Sequence, residues 1–200
     1  MTPFFFFRAG YDEAALARPV AVKAATSAVC YFLGDCLAQS LSRPTGAAAR
    51  DPGQLDLARA ARSAGAGFVG HGPVAHYWLA YLDGLSFGGG GFADEVPKIL
   101  LDQGPMSLVY NTLYTTLIGA FASRAPREIA ADVRATWLPG MAVSVRFWPF
   151  VHLVTFSALI PSELKLLWVD VCEIAWIGIL AQVNGADPDG GDEVAAAPRP

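Results

Sequence analysis

Five stretches of this chain are apolar enough and long enough to be membrane-length helices, and each is interrupted by a charge or a histidine. They run from about Val20 to Leu41, Ala58 to Leu82, Ile99 to Ala122, Trp137 to Ile160 and Glu163 to Val183. A helix needs about 20 residues, at ~1.5 Å rise each, to cross ~30 Å of hydrocarbon. A lone helix in lipid does not tolerate such interruptions, whereas helices in a bundle turn them inward. Composition points the same way: 16% of residues are charged and 54% hydrophobic, against about 25% charge in a typical soluble domain. The expected fold is all-α, a polytopic transmembrane bundle of four to five main hydrophobic helices. Proline kinks are expected at Gly72 and Pro73, at Pro149 and at Pro161.

Residues 1–185 are expected to form one transmembrane helical domain. The acidic, Gly/Pro-rich stretch 186–200 is expected to be a disordered tail. In "MTPFFFFRAGYDEAALARP" the apolar run is only Phe4 to Phe7, Arg8 follows it, and Asp12 and Glu13 come soon after. No cleaved targeting peptide is expected from that pattern. Cys30, Cys36 and Cys172 form no CxxC pair and read as reduced, buried thiols rather than a zinc site. A net charge of −4 with no basic, aromatic-interleaved patch gives no footprint for nucleic acid. Neither a cofactor nor a metal site is expected.

The stretch "GHGPVAHYWLAYLD", Gly70 to Asp83, could be a catalytic cluster, a metal site or a bundle helix. In a regular helix Arg62, His76 and Asp83 fall at multiples of seven, with Val69 between, and share a face. His71 and His76 are five apart and fall on different faces, which argues against joint metal ligation. The chain has no HExxH, no Gly-rich phosphate loop and no Ser/His/Asp order. The histidines therefore read as packed and hydrogen-bonded, and the protein reads as no enzyme.

Polar lines recur on the other helices. Asp35 and Gln39 are spaced i, i+4, and Gln103, Ser107, Asn111 and Thr115 make a stripe beginning beside Asp102. Ser144, Trp148, His152 and Thr155 share a face, beside Arg146, and Asp170 and Glu173 sit at i, i+3. Such stripes either join helix to helix or line a water-filled path. Spacing alone leaves both open.

Several motifs, in order, resemble the Mpv-seventeen/PMP family of small integral membrane proteins of the peroxisome and the mitochondrial inner membrane. They are Gly34, Asp35 and Gln39 in "GDCLAQ", then Gly72, Pro73, His76, Tyr77, Trp78, Leu82 and Asp83, then Lys98, Asp102 and Gln103. Trp148, Pro149, Phe156 and Pro161 in "FWPFVHLVTFSALIP" complete the set. The likeness spans about Tyr11 to Gln182. The chain departs from the family where His152 and Thr155 stand for Gln and Asn, Lys165 stands for Arg, and Asp170 and Glu173 enter an ordinarily neutral helix. The resemblance implies a weakly selective channel for small solutes in an organelle membrane, the mitochondrial inner membrane ahead of the peroxisomal one. A non-transporting structural or accessory subunit of a larger membrane complex is the alternative. The partners implied are the lipid bilayer and small solutes, with a homo-oligomer or larger complex left open.

Overall fold

A computed structural model describes residues 10–11, 13–41 and 55–184, with side chains through 179. The tail expected over 186–200, and the domain's end at 185, lie outside the described residues. The described residues hold helices and no strand. In chain order these are α1 (Pro19–Leu41), α2 (Leu57–Ala66), α3 (Gly72–Gly84), α4 (Phe92–Leu101), α5 (Ser107–Phe121), α6 (Pro126–Phe156) and α7 (Lys165–Asn184). A π turn (Gly67–His71) joins α2 to α3 without a break, and another (Asp102–Met106) joins α4 to α5. From Pro19 on, the described residues form five continuous helical runs at the five places where the apolar stretches lie, preceded by helical residues at 13–17.

Both π turns have an identifiable cause. A proline in a helix lacks an N–H, and its ring crowds the carbonyl four residues earlier. Pro73 stands just after the first π turn and Pro105 inside the second. Widening the helix by one residue makes room for the ring and leaves the run continuous. The wide turns also place His71, Asp102 and Gln103, all buried, at mid-bundle.

Local signals set several ends. Asp56 caps α2, its carboxylate accepting the Arg59 N–H at 3.0 Å. The Glu128 carboxylate accepts the Ala125 N–H at 3.1 Å where α6 begins, with Pro126 in the first turn. Gly91, at φ 53°, turns the chain into α4 in a conformation that favours glycine.

Successive runs alternate in direction, which leaves α1 and α7 parallel. Ser27 meets Asp170, Tyr31 meets Glu173, and Gly34 faces Ile174 and Ile177. The first π turn lies against α1 so closely that side chains are excluded. A Cβ on Gly67 would stand 2.8 Å from the Ser27 carbonyl oxygen, and one on Gly72 2.5 Å from Ala24 Cα. The apolar core gathers Leu79, Leu82, Trp148, Val151, Leu166 and Trp176 from α3, α6 and α7. Phe147 stacks on Trp176 at 5.5 Å.

Several sequence expectations are corrected. Pro161 does not kink a helix: α6 already ends at Phe156, and Pro161 lies in the link before a short 3-10 turn, Ser162–Leu164. Pro149 does lie inside α6, as does Pro139. The face shared by Arg62, Val69, His76 and Asp83 does not survive, because the extra residue of the π turn shifts the register; Val69 is 58% exposed. Trp78 points inward to Asp102. Of the three thiols only Cys30 is fully buried. By length and composition, α1 is the one helix among the described residues apolar enough to cross a membrane.

Candidate functional site

α1 carries a polar residue at every fourth position of one face: Lys23, Ser27, Tyr31, Asp35 and Gln39. At i, i+4 spacing these stack into a single file about 24 Å long. Each member finds a partner on another helix, and the partners define the interior.

At one end Asp35, 2% exposed, accepts from Arg59 Nε at 3.0 Å and from Gln39 Nε2 at 2.6 Å. Gln39 also clasps the Asp56 backbone, donating to its carbonyl and accepting its N–H. α1 and α2 are thus joined at the start of α2, where the Asp56 cap already fixes the chain.

In the middle the Ser27 hydroxyl donates to both Asp170 oxygens, at 2.9 and 3.0 Å. His71 Nε2 lies 3.5 Å from Asp170 Oδ1. One turn along, the Tyr31 hydroxyl donates to Glu173 Oε1 at 3.0 Å. The two carboxylates, spaced i, i+3, therefore bind separate hydroxyls. Tyr31, His71, Tyr110 and Tyr114, with Ala66 and Leu113, enclose a chamber of about 10 Å³.

Beside this lies a second node. Asp102 accepts from Trp78 Nε1 at 2.7 Å, from Gln103 Nε2 at 3.0 Å and from His152 Nε2 at 2.9 Å. Gln103 Oε1 in turn accepts from the Ser144 hydroxyl at 2.9 Å. One buried carboxylate so gathers α3, the second π turn and α6.

At the other end Lys23 Nζ donates to His76 Nδ1 at 3.2 Å, and Lys165 pairs with Asp83. The Lys165–Asp83 pair borders an open recess of about 490 Å³, which Asp94, Glu95 and Lys98 also line.

Among the residues expected from sequence, Asp35, Gln39, His76, Asp83, Asp102, Gln103, His152, Lys165, Asp170 and Glu173 all take part in these contacts. Asn111 is half-buried, with the Thr136 hydroxyl at 3.4 Å, and Arg62 is half-buried on α2. Arg146 is a correction: it is exposed, because Ser144, Trp148, His152 and Thr155 take the inner face of α6 and position 146 falls outside it. Sequence reading passed over Lys23, Ser27 and Tyr31, and read His71 as a packed, hydrogen-bonded histidine, whereas its buried Nε2 has no hydrogen-bond partner. The four-residue spacing on α1 was the available signal for the first three. His71 had none, since its inward direction depends on the π turn.

Chemically the interior is a set of hydrogen bonds and ion pairs in which His71 Nε2 and His152 Nδ1 stand buried without a hydrogen-bond partner. Among the described residues no group of three His, Cys, Asp or Glu is placed to hold a metal ion.

Paired ions inside and leucine, valine and aromatic side chains outside define a class of small helical proteins built around a polar interior. The sequence profile described as the Mpv17 / PMP22 family matches residues 119–181, the end of α5 through most of α7. The chain is also 32% identical over 169 residues to PXMP2/4 family protein 4 of Dictyostelium discoideum, covering 84% of this chain and 88% of that protein. It belongs to the Mpv17 / PMP22 family. The human mitochondrial inner membrane protein Mpv17 is 28% identical over 86% of this chain and 93% of its own. Bovine peroxisomal membrane protein 2 is 24% identical over 83% of each. No solved structure matches the chain.

Proposed function

We propose that the chain is an integral protein of an organelle membrane and conducts small solutes with weak selectivity through its polar interior. The observation that carries this reading is the inverted distribution of polarity. Asp35, Asp102, Lys165, Asp170 and Glu173 are all below 9% exposed, while Leu33, Val69, Leu100, Val109, Phe150 and Val171 lie outside at 47% or more. Burying a charge costs several kcal/mol unless it is paired, and large exposed apolar faces are costly in water. Hydrocarbon around the bundle reverses both preferences, so the charges turn inward and the leucines outward. On this reading all five helical runs lie in the bilayer. Among the described residues α1 alone is apolar enough to span by its own composition, with Lys23 and Asp35 in it; the other runs carry more charge and pair it with one another.

The mitochondrial inner membrane is the proposed location, since the human relative named for it covers more of its own length at higher identity than the bovine peroxisomal one. A fluorescent fusion imaged against markers of both organelles decides between them. For transport, the purified chain in planar bilayers is expected to give discrete conductance steps. No conductance over a broad range of pH and voltage overturns the channel reading.

One observation favours a second reading, a non-transporting accessory or scaffold protein that acts as a homo-oligomer or within a larger complex. The polar groups mostly bind one another from helix to helix, and the central chamber has room for about one water. Stable co-migration with other subunits in mild detergent, without solute flux, selects it. Neither reading makes the protein an enzyme.

A further inference from the structure

The chamber between α1, α5 and the first π turn has a feature that packing does not explain. His71 is 8% exposed, its Nε2 makes no hydrogen bond, and Asp170 Oδ1 stands 3.5 Å away. A buried nitrogen without a partner is uncommon and calls for one. His71 also borders a cavity of about 10 Å³ whose other polar walls are Tyr31, Tyr110 and Tyr114. That volume is the threshold for one water, and three tyrosines and an imidazole line it. The ring contacts are tight: His71 lies 5.1 Å from Tyr31 and 5.2 Å from Tyr110, centroid to centroid.

We propose that this chamber is a proton-transfer station: it holds one water and passes a proton between Glu173 and Asp170 by way of Tyr31 and His71. Each step breaks and forms only O–H or N–H bonds. The protonated Glu173 carboxyl gives its proton to the Tyr31 oxygen as the Tyr31 hydroxyl gives its own to the water. The water passes a proton to His71 Nε2, and that nitrogen hands it to Asp170 Oδ1. The net change is one proton lost by Glu173 and one gained by Asp170; Tyr31, water and His71 are restored. Beyond the station the α1 file continues both ways, to Asp35 and Gln39 at one end and to Lys23 with His76 at the other. Titratable groups thus stand along the length of α1, the arrangement of a proton relay inside a membrane. Proton hops between neighbouring oxygens and nitrogens do not require the interior to open as a solute pore would.

The inference rests on the membrane location but not on solute conduction, and the test separates the two. The full chain is reconstituted in phosphatidylcholine vesicles containing glucose and a dextran-linked pH dye, and a potassium diffusion potential drives proton entry. The wild type is expected to take up protons above empty vesicles. Tyr31→Phe keeps the ring and removes one relay oxygen, and Glu173→Gln keeps the shape and removes the acid. Each is expected to slow uptake about tenfold or more, equivalent to about 1.4 kcal/mol on the barrier. Proton uptake without glucose release supports the station and excludes a pore wide enough for glucose. Uptake equal to empty vesicles overturns the station, and so does uptake unchanged in both variants. Parallel loss of proton and glucose flux in Tyr31→Phe, with its helical circular dichroism intact, overturns it too. Chain that fails to float with the vesicles sinks the membrane location and the station together.

Discussion

The Asp102 carboxylate and the His152 imidazole, on separate helical runs, meet at 2.9 Å inside the bundle, with His152 4% and Asp102 5% exposed. Trp78 and Gln103 complete the shell around Asp102. His152 also stacks between Trp148 and Phe156, at 5.4 Å from each, so its ring is held where the carboxylate needs it. This node ties α3, α4–α5 and α6 together more specifically than apolar contact does.

Asp102→Leu is expected to destabilise the fold by about 3–5 kcal/mol, because it leaves the donors of Trp78, Gln103 and His152 buried without an acceptor. Thermal unfolding in mild detergent measures it. Asp102→Asn keeps one acceptor oxygen and is expected to cost less. Equal stability of Asp102→Leu and wild type would show that the node does not hold the helices.

Gly72→Leu tests the close approach of the first helical crossing. A Cβ there would come within 2.5 Å of α1 backbone at Ala24, and backbone cannot move aside as a side-chain tip can. Overpacking costs of about 1–3 kcal/mol are the expected scale, and Gly72→Ala is expected to show the same sign. Gly104, with open space where a Cβ would stand, is the matched control: Gly104→Ala is expected to leave the unfolding midpoint unmoved.

Arg146→Ala is expected to change stability by no more than about 0.5 kcal/mol, the usual range for surface positions. Conductance is expected to be unaffected as well. Altered ion preference in this variant would return Arg146 to the pathway from which its exposed position removes it.

Asp170→Asn combined with Glu173→Gln removes two carboxylates from mid-bundle and keeps their shape. If the interior conducts, this variant is expected to change ion preference or the pH profile of conductance. The groups around the pair include Ser27, Tyr31 and the Lys23 ammonium from α1, His71 from the first π turn and Asp102 from the second. Single-channel recording at two salt gradients reads the preference. An unaltered profile would take both acids out of the conducting path.

The motif residues from Gly34 to Pro161 were readable as a family likeness before any coordinates, and membership stands on the relatives. The five apolar runs were readable too, because each keeps hydrophobic residues over about 20 positions, the length hydrocarbon requires. On α1 only Asp35 and Gln39 were read from the sequence. The i, i+4 row that also takes in Lys23, Ser27 and Tyr31 was there to be read, and winds slowly round the helix to meet three different neighbours. Arg62, His76 and Asp83 were misplaced for a definite reason. Their shared face assumed 3.6 residues per turn through a region where Pro73 induces a π turn.

Sequence by itself determined that the chain is helical, that its runs are apolar, and that the ionisable residues inside them must find company. Those are consequences of composition and period, which belong to each helix alone. Only the tertiary structure decided the company: Asp170 with Ser27 rather than with Glu173, Asp102 with His152, Lys165 with Asp83, and Arg146 with none of these interior partners. A side chain's partner depends on how neighbouring helices are rotated and on where a π turn shifts the register. Those are properties of packing between helices, and no single helix encodes them.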